Sequence, residues 1–228
     1  MSVLDSPSMT TCYLCGEQGA DTTEHVIPRC LYPANLPNDA VTLPAHARCN
    51  RFSMKDEEAF RNHIAGAIPA SHPAHVLWDK TWRAIQRPEA SGMKQVYYRD
   101  MISIPIEGSA LHRPVVARIR TDRVERVLAK IVKGLFFRTT EELMPGADIL
   151  WRFDQLSDGR SDVRLSQSFD VNGVLHVEWD RAADAPLVTM WILGFYDVMW
   201  FRAMTIPVDT ATPEEIREWA RVTWPGPT

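Results

Sequence analysis

Two short motifs near the start of the chain have the residue types and the spacing of metal ligands. Cys12 and Cys15 are separated by two residues, and the same spacing recurs further along in His46 and Cys49. At this spacing, two ligands on one tight turn can meet the same tetrahedral Zn²⁺. Together the pairs would supply three sulfur atoms and one nitrogen atom, with no position left open for water. The sequence therefore predicts a closed, structural zinc site.

A fourth cysteine leaves one of these ligands open. Cys30 lies alone between the two motifs and has no neighbour at ligand spacing. We favour His46 as the fourth ligand because it shares a short turn with Cys49, and we keep Cys30 as the alternative. If the cysteines bound no metal, the repeated ligand spacing of Cys12 with Cys15 and of His46 with Cys49 would have no explanation. A redox or metal-sensing switch ranks last, because Cys30 has no evident resolving partner.

A Glu-His pair lies between the two motifs, and an asparagine directly follows the second one. A neutral histidine can take a proton from water near pH 7, as the general base of a hydrolytic enzyme does. Glu24 and Asn50 offer oxygen ligands of the kind that Mg²⁺ and Mn²⁺ prefer. We therefore expect His25 to be the general base, with Glu24 and Asn50 holding a catalytic divalent cation. On a strand, Glu24 and His25 would point to opposite faces and would have different roles.

In this segment the chain resembles the HNH nuclease family, whose ββα-metal motif reads Asp/Glu-His-x-x-Pro, then a loop, then Cys-Asn or Cys-His at the start of a helix. The matching residues lie within 12–65: Cys12, Cys15, Glu24, His25, Pro28, Leu43, Cys49 and Asn50. The pattern looks most like the stand-alone prokaryotic branch of the family. The resemblance implies a metal-dependent endonuclease that hydrolyses DNA, with RNA less favoured, and leaves 5′-phosphate and 3′-hydroxyl ends.

Two positions depart from the family's pattern. Thr42 stands where the family has an asparagine that pins the loop orienting the base, and Met54 stands where some members carry a second histidine. Glu57 or Glu58, further along the same expected helix, could instead reach back to orient the metal ligands. The departures keep a rival interpretation open, in which a catalytically weak zinc-binding module recognises nucleic acid or protein and the rest of the chain carries the function.

The composition divides the chain into two parts. All four Cys and five of the seven His lie within the first 75 residues, whereas all eight Trp lie beyond them. Because the first part is poor in large apolar residues, its stability should depend on a metal. Two prolines within residues 68–74 interrupt any helix there. We expect a zinc-binding ββα module over residues 1–70 and a second domain over residues 76–228.

The patterns of apolar and turn-forming residues predict an α+β fold, with the small ββα module followed by an antiparallel-sheet-rich domain with packed helices. Strands are expected at about 23–27 and 40–43, and a helix at about 50–65. Helices at 76–86 and 121–137 and a strand carrying Ile102, Ile104 and Ile106 should follow. The later strands are predicted at about 147–154, 163–171, 174–180, 187–195 and 198–204. Asn172-Gly173 predicts a type I′ hairpin turn, and Thr212 is the expected N-cap of a last helix.

Four basic residues recur on one face of the 121–137 helix, opposite its apolar face: Arg123, Arg126, Lys130 and Lys133. A basic stripe of this kind could follow phosphates, and it is our candidate for a nucleic-acid-binding face. The simpler interpretation is a solvated helix face, which the neighbouring Asp122 and Glu125 favour.

Overall charge and hydropathy exclude several classes of protein. With 45% hydrophobic residues the chain can bury a core, and with a net charge of -4 it has no global field that attracts nucleic acid, so such a partner would need a local site. We see no secretory signal, and the longest apolar stretch, at residues 187–196, is too short to span a bilayer. We expect a cytoplasmic protein that binds nucleic acid and no membrane. The sequence leaves open whether the protein forms a homo-oligomer.

Overall fold

The computed structural model describes residues 11–69, 72–88, 101–103, 115–117, 121–144, 148–156, 164–222 and 224–225. Over these residues the fold is α+β, with antiparallel sheets and packed helices, as the sequence predicts. The described part of the chain contains no helix that combines the length and the apolar character needed to cross a membrane.

A small hairpin and a long helix form the N-terminal part. Strand β1 (Thr22–His25) pairs antiparallel with β2 (Thr42–Ala45), and His25 lies opposite Thr42. Helix α1 (Ala47–Ala67) follows β2 directly, with His46 at its N-cap position. The loop between the strands contains a short 3-10 helix, Arg29–Leu31. The predicted order of two strands and a helix is confirmed.

A second helix and a separate strand pair follow. Helix α2 (Val76–Gln86) packs against α1 and is preceded by the short 3-10 helix Pro73–His75. Strands β3 (Met101–Ser103) and β4 (Val115–Ala117) form a two-stranded antiparallel sheet. The strand predicted from alternating isoleucines is therefore present at Ile102, whereas Ile104 and Ile106 lie outside the described residues.

The C-terminal part consists of a long helix, α3 (Thr121–Thr140), a six-stranded antiparallel sheet and a short helix, α4 (Pro213–Glu218). The sheet has the strand order β10-β5-β9-β8-β7-β6. Its strands are β5 (Ile149–Leu156), β6 (Gln167–Val171), β7 (Leu175–Arg181), β8 (Thr189–Phe195), β9 (Met199–Pro207) and β10 (Ala220–Arg221). The predicted cap of α4 is confirmed, because the Thr212 and Glu215 side chains accept from each other's backbone N–H.

Two tight turns of the sheet have residues with positive φ. Asn172 and Gly173 have φ of 52° and 65°, and the Val174 N–H donates to the Val171 carbonyl at 3.0 Å, as predicted. The β8–β9 turn has the same conformation at Tyr196 and Asp197, with φ of 54° and 56°. The strands predicted at about 187–195 and 198–204 leave these two residues between them, but tyrosine rarely adopts a positive φ, so the residue types do not predict this conformation.

One hydrophobic cluster joins the N-terminal and C-terminal parts. It includes Phe60 of α1, whose ring centroid lies 5.1 Å from that of Phe195 in β8. The apolar face of α3 packs toward the sheet, where the ring of Phe136 meets that of Trp179 edge-on at 6.4 Å. The opposite face of α3 packs against α1. The two parts inferred from composition therefore share a core, in which α3 contacts both α1 and the sheet.

Candidate metal centre and active site

The two predicted pairs of metal ligands meet at the start of α1. Cys12, Cys15, His46 and Cys49 each place one ligand atom so that all four atoms lie within 4.8 Å of one another. The first pair lies on a turn closed by the Gly16 N–H, which donates to the Cys12 carbonyl at 2.8 Å. The second pair lies at the N-cap and in the first turn of α1. This group can hold a metal ion, and three sulfur atoms with one nitrogen atom suit tetrahedral zinc.

The fourth potential ligand atom of the cluster belongs to His46 and not to Cys30. The His46 Nδ1 atom lies 3.3 Å from the Cys15 sulfur and 3.9 Å from the Cys49 sulfur. Its Nε2 atom lies 3.0 Å from the Gln18 carbonyl, which can only accept, so Nε2 carries the proton and Nδ1 is left for the metal. The Cys30 thiol instead donates to the Glu57 carbonyl at 3.5 Å.

Residues from the C-terminal part cover this cysteine-histidine cluster. The buried Lys133 side chain of α3 donates from Nζ to the Leu14 carbonyl at 2.6 Å and lies 5.0 Å from the centroid of the Trp224 ring. The Cys49 sulfur lies 3.1 Å from the Pro225 carbonyl oxygen. Three thiolates around Zn²⁺ would carry one net negative charge. The Lys133 ammonium is the buried cation placed to balance it.

Successive side chains of β1 point to opposite faces of the strand, which separates the predicted base His25 from the neighbouring Glu24. Glu24 is buried, whereas His25 is half-buried at the end of the strand. Burial lowers the pKa of His25, and the positive charges of Arg29 and Lys130 lower it further, while Glu57 acts in the opposite direction. His25 is therefore neutral near pH 7, which is the state that a general base requires.

Glu24 shares a buried ammonium group with Glu57 of α1. The Lys130 Nζ atom, from α3, donates to a carboxylate oxygen of each, and the Lys130 side chain has no exposed surface. Burial raises the pKa of Glu24, and this effect is opposed by Lys130 and by a hydrogen bond from the Asn50 side chain. The structure thus brings Glu24 and Asn50 together and adds Lys130 and Glu57 to them.

The groups around Glu24 do not fit a divalent cation in this arrangement. Mg²⁺ and Mn²⁺ need a shell of oxygen ligands around the ion. Here the space between the Glu24 and Glu57 carboxylates is filled by the Lys130 ammonium. Within the described ranges, the cysteine-histidine cluster is the one place where three or more Cys, His, Asp or Glu ligand atoms gather.

The prediction that the four basic residues of α3 form a solvent-exposed stripe is wrong. Lys130 and Lys133 are 0% and 1% exposed. Arg123 and Arg126 pair with Asp56 of α1, at N–O distances of 3.5 Å and 2.6 Å. The physical reason is that this face of α3 packs against α1 and the cysteine-histidine cluster, so its cations meet protein acceptors there.

Sequence reasoning missed the roles of Lys130 and Lys133 and left Glu57 undecided. Glu57 has a local signal, because it lies seven residues after Asn50 and therefore two turns along the same side of α1. The Ser53 hydroxyl holds it by donating to Oε1 at 2.8 Å. Lys130 has no local signal, because its partner Glu24 is 106 residues away in the chain.

Comparison of the chain with protein-family models, curated proteins and solved structures finds no match.

Proposed function

We propose that this protein is an HNH-like endonuclease that hydrolyses phosphodiester bonds of nucleic acid, DNA before RNA, with His25 as the general base. One observation carries the proposal. A half-buried histidine with a lowered pKa ends β1, next to a helix whose start belongs to the cysteine-histidine cluster. A zinc ion held there would fix the first turn of α1 relative to the hairpin that carries His25.

The chemistry proposed for His25 is the activation of water. The neutral imidazole takes a proton from a water molecule as the water oxygen attacks phosphorus. The bond from phosphorus to the 3′-oxygen breaks, and the released 3′-oxygen takes a proton from solvent water. The products are the 5′-phosphate and 3′-hydroxyl ends that the HNH resemblance implies. The exposed Arg29, close enough to lower the pKa of His25, supplies positive charge for the phosphate. Mg²⁺ and Mn²⁺ take no part in this step, because the Lys130 ammonium fills the acidic site.

The test is nicking of supercoiled plasmid by the zinc-loaded protein, compared with His25→Ala. Removal of a general base typically lowers the rate by about 10²–10⁴-fold. His176→Ala, a substitution in β7 of the main sheet, is the matched control and should nick at the wild-type rate. The assignment of His25 fails if His25→Ala cleaves as fast as wild type while both proteins keep the same circular dichroism spectrum.

A second candidate function is a recognition module without nuclease activity. The position of Lys130 between two carboxylates favours it, because a centre that needs a divalent cation would be blocked. Thr42 opposite His25, where the family has an asparagine, favours it as well. In this case wild type and His25→Ala would bind labelled DNA equally in fluorescence anisotropy, and neither would cleave it.

A further inference from the structure

We propose that Lys130 is the resident cation of the acidic site at Glu24 and Glu57, and that it excludes the divalent metal ion that the family resemblance places there. This inference rests on the proposed function for the location of the site but not for its activity. The cation of the site is then a side chain of the protein's own C-terminal part.

Three elements bring the charges together. Glu24 comes from β1, Glu57 from α1 and Lys130 from α3, and the Lys130 ammonium donates to both carboxylates. The side chains of the two acids are 8% and 13% exposed, and that of the lysine is 0% exposed. Each carboxylate has a further donor, from Asn50 for Glu24 and from Ser53 for Glu57. The hydrogen-bonding groups of this site are thus supplied by protein side chains.

A divalent ion and the Lys130 ammonium cannot share this site. A metal ion bound by the two carboxylates would lie beside a buried ammonium, and like charges at contact distance in a low-dielectric interior repel strongly. Metal binding would therefore require the Lys130 ammonium to move away from both carboxylates. A buried ammonium without a partner is itself unfavourable. The two cations are mutually exclusive.

The neighbouring contacts of α3 hold Lys130 in place. Four residues earlier, Arg126 donates to Asp56 at 2.6 Å, and three residues later, Lys133 donates to the Leu14 carbonyl at 2.6 Å. Both contacts lie on the same side of α3 as Lys130. Gly134 lets this stretch of the helix approach Val26 closely. The ammonium is consequently fixed by the packing of the helix.

Removal of the lysine should turn the site into a metal site. In Lys130→Met the carboxylates of Glu24 and Glu57 would keep their positions on β1 and α1 and would lack a cation. Together with the Asn50 amide oxygen they form a set of hard oxygen ligands, which suits Mn²⁺. The variant should therefore gain an ion that the wild type does not bind.

The experiment is a titration of the full-length, zinc-loaded protein with Mn²⁺, followed by the EPR signal of free Mn²⁺. We expect no Mn²⁺ bound by wild type or by the charge-preserving Lys130→Arg. We expect about one ion per chain bound by Lys130→Met and none by the double variant Lys130→Met/Glu24→Gln. The melting temperature of Lys130→Met should rise on adding Mn²⁺, whereas that of wild type should not, because only a folded state that binds the ion is stabilised by it.

Two outcomes would overturn the proposal. The first is Mn²⁺ bound by wild type and lost in Glu24→Gln, a result that does not depend on whether any lysine variant folds. The second is a folded Lys130→Met, or Lys130→Gln if the former does not fold, that binds no Mn²⁺. Failure of every protein to nick plasmid would contradict the proposed nuclease and leave the Mn²⁺ result standing, so the two failures are distinguishable.

Discussion

Replacement of Gly134 by alanine should destabilise the protein, although alanine is the better helix former. Gly134 lies within α3 where the helix approaches Val26, the residue after β1. A Cβ atom at position 134 would lie 2.6 Å from both Cγ atoms of Val26 and 3.1 Å from its Cβ. Carbon atoms in contact normally lie about 3.5–4.0 Å apart, so two of these contacts are too short by about 1 Å. Since both methyl groups are involved, rotation of Val26 cannot relieve the overlap, and α3 must move.

Two opposing terms set the size of the effect. Alanine stabilises a helix interior by about 1 kcal/mol relative to glycine. Overpacking of a filled core costs about 1–3 kcal/mol. Val26 is fully buried and its clashing atoms are rigidly placed, so the cost lies toward the upper end of that range. We expect the free energy of unfolding to fall by about 1–2 kcal/mol after subtraction of the helix term.

The measurement is urea unfolding of the zinc-loaded protein, with a second glycine as the matched control. A Cβ atom at Gly66 of α1 would meet its nearest neighbour, a Trp78 ring carbon, at an ordinary 3.9 Å. Gly66→Ala should therefore stabilise by up to about 1 kcal/mol. The cost of Gly134→Ala should shrink in a Val26→Ala background, where the methyl groups are gone. A Gly134→Ala protein as stable as wild type, or an equal cost in both backgrounds, would refute the packing argument.

Two further predictions concern the cysteine-histidine cluster and the proposed base. Cys49→Ala should lose the one zinc ion per chain and unfold the ββα part, whereas Cys30→Ala should keep the zinc ion and the fold. Metal analysis and circular dichroism of both variants check this. Loss of zinc in Cys30→Ala would contradict the ligand set. The nicking rate should fall as pH drops through the lowered pKa of His25, because the imidazole is then protonated. The pH at which the rate is half-maximal should therefore lie below 6.5, the ordinary pKa of histidine. A half-maximal rate at or above pH 7 would argue against His25 as the base.

The parts of the fold that the sequence predicts correctly are those with a local physical cause. The cysteine-histidine cluster follows from ligand spacing and the turn at Asn172 follows from residues that tolerate positive φ. At the turn of Tyr196 and Asp197, the tyrosine lacks this tolerance. The tyrosine hydroxyl donates to the Leu31 carbonyl, a contact between residues 165 positions apart, so the conformation is stabilised by tertiary structure.

The surroundings of the candidate site were harder to predict for a related reason. Helical periodicity correctly places the cations of α3 on one face, but periodicity does not say whether that face meets solvent or protein. Charged helix faces usually meet solvent, which is why the sequence predicts an exposed stripe here. Asp56, Glu24 and Glu57 are separated from their partners on α3 by about 70 residues or more along the chain, and no local pattern connects them.

The inward direction of these cations defines what the C-terminal part contributes to the candidate site. Lys133 donates to the carbonyl of a residue between two cluster cysteines, and Lys130 neutralises the acid next to the proposed base. If the first cation were missing, a zinc-thiolate centre would retain an unbalanced buried charge, and if the second were missing, two buried carboxylates would lack a partner. The chemistry of the ββα part is therefore set by α3 as much as by its own motif. Because the motif alone implies a metal ion that the surrounding charges do not admit, the family resemblance and the structure differ at the cation of the site.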